Sequence, residues 1–398
     1  MLNQALFGER VRQLRTINNI SATDLAKRVE MSTGTMSLLE NGRHAVDDEL
    51  AARLAAQLDC DPSYFGAPDL DLVGTRPWLR AYADASKRTV DRVEQDNLLA
   101  VAITYMLELP RYADVIPLFD GDLDDDEAIE EAAERTRTVL GLDEGAVIRN
   151  AVRVAERLGC LILPVDDELG RHLGLSQRIG STPVIRVARS SDDPKRVVPG
   201  DRQRFTVSHE LGHLALHHDC PPPNTPAEAT RYEKQAHRFA AAFLAPAEPL
   251  LADLSELGGR ITLNTLAHLK QRWGLAIKAM VVRFRHLGVI DEAHARSLYK
   301  QISARKWNTH EPVHVPNERA QSLSKAMSSR LGADPVAEAF RRTGLGQPYF
   351  ARWLDWAPTP LPGDIAKVVT IKPRDAATHP GDGEFGTRPV TQLNIRQW

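Results

Sequence analysis

Four of the chain's thirteen histidines fall within ten residues, in RFTVSHELGHLALHHD (Arg204–Asp219). His209 and His213 are four apart, so as a helix they share one face, and Glu210 between them is displaced by about 100°. Two imidazoles and one carboxylate on a single helix make a metal-supported hydrolytic centre only if that helix is buried. Thr206, Val207, Leu211, Leu214 and Leu216 supply apolar surface for burial, and Gly212 permits close approach of another element. The stretch therefore predicts a buried helix with a closely packed neighbour. In such a centre, zinc would activate a water and Glu210 would take its proton.

Catalytic zinc takes three protein ligands and keeps an open position. Two candidates compete for the third. A metzincin-like continuation would use Asp219, six residues past His213, but the glycine that its turn needs is Leu216. The other candidate is Glu233 in ATRYEKQAHRFAAAFLAP, where Ala236, Ala240 and Phe243 mark a packed side. His217 continues the His209/His213 face, either as a hydrogen-bonding neighbour of a ligand or as a packed histidine. His237, one turn beyond Glu233, reads as a partner of a ligand, a stabiliser of a developing oxyanion, or a surface histidine.

With 398 residues the chain exceeds one ordinary domain, and 42% hydrophobic residues suffice for more than one core. No apolar run approaches the roughly 18 residues of a membrane span. The start carries no signal-peptide pattern, and three distant cysteines (Cys60, Cys160, Cys220) fit a reduced compartment, so a cytoplasmic protein without membrane contact is expected. The net charge of -3 excludes a broadly basic nucleic-acid coat but not a local DNA contact.

The first 66 residues read as a run of short helices. Ser21 and Ser32 are N-cap candidates for Ala22–Val29 and Thr33–Asn41, with a tight turn at Glu30 and Met31 and a stop at Gly42. This is a helix-turn-helix arrangement, in which the second helix can enter a major groove. Thr33, Thr35 and Ser37 would face base edges; Lys27, Arg28 and Arg43 are phosphate-contact candidates. The unit holds seven Lys or Arg against nine Asp or Glu, so few phosphate contacts are expected per monomer and double-stranded operator DNA would be bound as a homodimer. The alternative is a small helical domain for protein contact.

Further along, Trp78–Leu109 reads as one or two helices, and an acidic run leads into a helix ending near Gly141. LILPV and TPVIRVAR are strand candidates, and a helix spans about Pro226–Leu244. Two helices flank Gly274, helices continue to about Trp356, and IAKVVTIK near the end is a further possible strand. The segment LNTLAHLKQRWGLAIKAMVVRFRHLGVI can be read as a second helix-turn-helix, with Arg283 and Arg285 near its end, or as packing around the histidine helix.

SATDLAKRVEMSTGTMSLLENGR resembles the XRE (Cro/CI-like) repressors, with Leu25, Ala26, Ser32, Ser37, Glu40 and Gly42 at the usual places and Ala22 where a DNA-backbone Gln is common. RQRFTVSHELGHLALH followed by EKQAHRFAAAFLAP resembles the ImmA/IrrE metallopeptidases. That resemblance implies His209, His213 and Glu233 as zinc ligands and Glu210 as general base. The usual Asn is His237 here, and a common acidic residue and Met are Ala242 and Ala245.

Together the resemblances imply a mainly α, α+β chain. A five-helix XRE domain (1–68) would be followed by a helical, acidic linker region (69–139). A zincin-like domain with a small sheet (140–298) and a helical C-terminal domain (299–398) would complete it. They also imply a transcriptional regulator with a zinc endopeptidase that cleaves an XRE-type repressor, another protein, or itself. The alternative is a repressor or antitoxin-like regulator whose peptidase-like domain is a non-catalytic sensor or structural module.

Overall fold

The computed structural model describes residues 4–75, 77–78, 86–143, 145–165, 174–190, 192 and 197–357. The strand candidate IAKVVTIK lies outside them. The fold is mainly helical around one three-stranded sheet.

The N-terminal unit consists of α1 (Gln4–Ile17), α2 (Ala22–Arg28), α3 (Thr33–Glu40), α4 (Asp48–Gln57) and a single 3-10 turn, Pro62–Gly66, as the fifth element. Its boundaries follow from the caps. Ser21 Oγ accepts from Asp24 N at 3.0 Å and Ser32 Oγ from Thr35 N at 3.0 Å. Glu30 takes a left-handed φ of 57° in the turn between α2 and α3. Gly42 stops α3 with φ 69°; a Cβ there would also stand 2.7 Å from Ala5 Cα, so no side chain fits. Phe7, Val11, Leu14, Leu25, Val29, Met36, Leu39 and Leu54 form the interior.

After an extended stretch come α5 (Lys87–Met106), α6 (Asp126–Val139) and α7 (Ala151–Arg157). The sequence reading placed Trp78 in a helix; instead Trp78 pairs with the sheet and α5 begins at Lys87, capped by Ser86. Backbone pairing with a distant strand outweighs the local apolar spacing there. The sheet follows, with β1 (Leu161–Val165), β2 (Gly174–Ile179) and β3 (Thr182–Ala188) in the order β1-β3-β2. β1 runs parallel to β3 and β2 antiparallel to it.

Side chains alternate across a strand. Ile162, Ile185 and Val187 enter a core with α7 and the next helices, α8 (Gly200–Leu216) and α9 (Pro226–Leu244). Leu163, Val184 and Ile179 enter a second core with the N-terminal unit and α5. The polar side chains of that second face are satisfied by α5: Arg186 pairs with Asp96, its Nε donates to Asn97 Oδ1 at 2.6 Å, and Asn97 Nδ2 donates to Gln177 Oε1 at 3.0 Å. The sheet is thus a wall between two cores.

The first core continues through α10 (Ala247–Glu256), α11 (Leu263–Trp273), α12 (Ile277–His286) and α13 (Glu292–Ala304). α14 (Ser322–Leu331), α15 (Pro335–Thr343) and α16 (Gln347–Leu354) return to the second core. Tyr349 Oη donates to Leu58 O at 2.6 Å, and Gly346 N donates to Asp59 O at 2.9 Å. Late helices and the N-terminal unit therefore share one interior. Among the described residues no helix is long and apolar enough to cross a membrane.

Candidate metal centre

The histidine helix is α8, and it is buried over nearly its whole length. Its neighbour α9 starts at a capping box, with Thr225 Oγ1 accepting from Glu228 N and Glu228 returning to the Thr225 backbone, and with Pro226 at the first helical position. The two helices cross at Gly212, where a Cβ would approach Phe239 Cδ1 to 3.0 Å and Ala236 O to 3.2 Å. That close crossing brings Glu233 over the α8 histidines.

His209 Nε2 and His213 Nε2 are 3.2 Å apart. Glu233 Oε2 stands 3.3 Å from His209 Nε2, and its Oε1 stands 3.5 Å from His213 Nε2. Zinc with bonds of about 2.0–2.1 Å sets tetrahedral ligand atoms about 3.4 Å apart, so this donor set fits the ion. His209, Glu233 and His237 also each offer a ligand atom within 4.8 Å of the others. Asp219 does not join them; its side chain is 91% exposed and meets His218 in the loop after α8. α8 ends at Leu216, and the chain turns to solvent before Asp219 can reach the ligand face.

Protonation follows from burial. Burial lowers His213 to about 4 and His217 to about 3, so both rings are neutral near pH 7. Burial alone would raise Glu233, but the close approach of His209 and His213 outweighs it and holds the carboxyl well below its usual range. Neutral imidazoles and an ionised carboxylate are the states a metal requires.

A buried relay fixes the His213 tautomer. Gln235 Nε2 donates to Leu123 O at 2.7 Å, which turns Gln235 Oε1 toward His217 Nε2 at 3.1 Å. Gln235 Oε1 only accepts, so the His217 proton sits on Nε2 and His217 Nδ1 accepts from His213 Nδ1, 2.9 Å away. The His213 lone pair then lies on Nε2, toward Glu233 and His209.

Glu210 is 5% exposed, and burial pushes it up to about 8 against the opposing hydrogen bond from Ser176. Ser176 Oγ donates to Glu210 Oε2 at 2.6 Å. Gly174, two residues earlier on β2, lets the strand come close; a Cβ there would lie 2.9 Å from Glu210 Oε1. His237 Nδ1 is 2.7 Å from Glu233 O, which places its proton on Nδ1 and its lone pair on Nε2. The His237 ring is half-buried and stands edge-on to His209 at 4.5 Å.

Sequence reasoning missed Ser176, Gln235 and Trp78. GLSQRI is poor in the β-branched residues that mark strands, and nothing local marks a glutamine two residues past a ligand.

In the N-terminal unit, Thr33 and Ser37 are exposed on α3 while Met36 and Leu39 face inward. Thr35 is half-buried, its Oγ1 2.8 Å from Ser32 Oγ. Lys27, Arg28 and Arg43 are exposed. Four of the seven cations are engaged within the unit: Arg10 donates to Tyr64 O and Pro68 O, Arg12 and Arg15 pair with buried Glu40, and Arg53 pairs with Glu49. The segment around α11 and α12 is packing rather than a second reading head. Arg283 is fully buried against Glu130 and Ala245 O, and Lys270 against Asp201 and Glu311.

A helix-turn-helix domain model matches residues 6–63, and an IrrE N-terminal-like domain model matches residues 155–285. The chain joins these two domains. The first is a DNA-binding regulatory module and the second a metallopeptidase-like module. Searches among curated proteins and among solved structures each returned no match.

Proposed function

We propose that this chain is a cytoplasmic, operator-binding transcriptional regulator whose IrrE-like domain is a zinc endopeptidase acting on an XRE-type repressor or on the chain itself. The observation that carries this reading is the spacing of His209, His213 and Glu233, at 3.2–3.5 Å, beside a buried Glu210. In this reading the DNA contacts come from Thr33, Thr35 and Ser37 at base edges and from Lys27, Arg28 and Arg43 at phosphates. So few cations favour a homodimer on a two-fold operator.

When bound, zinc supplies Lewis acidity at the scissile carbonyl. The remaining work falls to the protein. His209, His213 and Glu233 hold the ion, and the His217–Gln235 relay keeps His213 in the ligating tautomer. Ser176 occupies Glu210 Oε2, which leaves Oε1 for chemistry. In its carboxylate form Glu210 accepts a proton from the attacking water, burial having raised its affinity for that proton, and then returns it to the leaving amine. His237, with its lone pair on Nε2, donates to a developing oxyanion only as an imidazolium.

Glu210→Gln in the full chain tests this. The variant should keep about one zinc per chain yet lose peptide hydrolysis by about 10³-fold or more. It should also leave the regulated promoter locked in one state. A folded wild-type protein without zinc defeats the proposal. Unchanged promoter regulation by Glu210→Gln favours a non-catalytic sensor domain instead.

A further inference from the structure

β2 is an edge strand of the sheet, with β3 on one side only. Its other edge is taken by the chain itself, between the helix-turn-helix unit and α5. Gly180 N donates to Val73 O at 2.9 Å, Thr75 N to Arg178 O at 2.7 Å, and Trp78 N to Ser176 O at 2.8 Å. Gly74 bridges Ile179 and Trp78 bridges Ser176, so four steps on this strap oppose three on β2. Side chains fill in where the ladder slips: Arg178 N donates to Thr75 Oγ1 at 3.0 Å, and Gln177 Nε2 to Thr75 O at 2.8 Å.

The strap ends at the metal centre. Trp78 lies flat on His213, with centroids 5.2 Å apart and planes at 8°. It also meets His217 at 5.2 Å and the edge of Tyr232 at 5.5 Å. Its pairing partner Ser176 is the residue that holds Glu210. A backbone paired at Ser176 is therefore carried to the general base, with its side chain on the face of a metal ligand.

We infer that the outer edge of β2, with the rings of His213, His217 and Tyr232, is a subsite for an extended peptide bearing an aromatic side chain. The chain's own Val73–Thr75 and Pro77–Trp78 hold that subsite closed until displaced. An unpaired strand edge is satisfied by any extended backbone, and the side-chain pocket selects which one. The first half of the strap is loosely held, with Val73 75% exposed and Thr75 exposed, and its apolar anchorage is confined to buried Pro77 and half-buried Trp78. A cavity of about 120 Å³ remains between Thr75, Pro77 and Trp78 on one side and His213, His217 and Cys220 on the other. Such a segment opens at lower cost than the cores around it. Its advantage over a peptide in solution is tethering, which sets its effective concentration.

The inference rests on the peptidase reading for its consequence, but not for its test. A fluorescein-labelled peptide with the sequence of residues 71–80 is titrated into full-length protein carrying Glu210→Gln, which cannot cut it. Loss of the stacked ring in Trp78→Ala should tighten peptide binding by about 10-fold or more, because the tethered competitor is weakened. Trp78→Phe should bind like wild type, and Thr75→Pro, which removes a ladder donor, should bind like Trp78→Ala. The same peptide with its Trp replaced by Ala should bind weakly to every form. Equal binding to wild type and to folded Trp78→Ala, or no binding to either, overturns the inference.

Zinc-loaded Trp78→Ala with Glu210 intact separates the two readings. Binding without cleavage defeats the peptidase and leaves the strap standing. Cleavage at equal rate and KM in wild type and variant defeats the strap and leaves the peptidase standing.

Discussion

The helix-turn-helix unit and the histidine centre carry their chemistry in opposite places. Of the α3 residues proposed to face DNA, Thr33 and Ser37 are exposed and Thr35 is half-buried against Ser32, and the fold asks little more of them than that they point outward. Of the proposed metal site, His209, His213 and Glu210 are buried and Glu233 is half-buried, and packing orients them: Gln235 and His217 stand behind His213, Ser176 behind Glu210, and Gly212 beneath the helix crossing. A buried site is constrained by the same packing that makes the core. An exposed one is constrained by a partner outside the molecule.

The strongest test of this contrast removes a ligand. Glu233→Ala should lower zinc from about one ion per chain to near none and abolish hydrolysis, while operator affinity falls no more than about two-fold, since surface contacts are independent at a distance. Metal analysis and a DNA titration on one preparation check both. A collapse of DNA binding would break the contrast.

Next in size is the wall between the two cores. Arg186→Met leaves buried Asp96, among the described residues, with only Arg352 at 3.7 Å and the Trp353 indole N–H at 3.1 Å, a change that costs up to about 3–5 kcal/mol. Urea unfolding should show one transition at a lower midpoint, with both activities lost together. Two transitions would mean that the halves are independent. Leu39→Ala, inside the DNA-binding unit, should cost about 2–5 kcal/mol and also shift a single transition.

The smallest stability effects belong to Lys27→Ala, Arg28→Ala and Arg43→Ala, each within about 0.5 kcal/mol. Each should nevertheless lower the salt dependence of operator binding by about one counterion. An unchanged salt slope for all three would move the DNA contact elsewhere.

What could be read from the residues divides along the same line. Ser21, Ser32 and Gly42 bound their helices by local capping. HELGH and the Glu233 helix are recognisable because a metal site needs fixed spacing on helices. β1 and β3 are rich in β-branched residues, whereas β2 is not, and its place comes from pairing with β3. Trp78 was misplaced for the same reason, since its pairing with Ser176 joins residues far apart in the chain. The partners of α14–α16 were equally hidden, because an amphipathic helix states that it packs but not against what.

Those late helices have a consequence in time. Tyr349, Phe350 and Trp353 finish the interior that Phe7 and Leu14 begin. A ribosome adding about 5–20 residues per second needs roughly 15–60 s between Gly66 and Trp353. Throughout that interval the helix-turn-helix unit exists with an incomplete core. The helix-turn-helix unit therefore completes its interior only after the whole IrrE-like domain has been synthesised behind it.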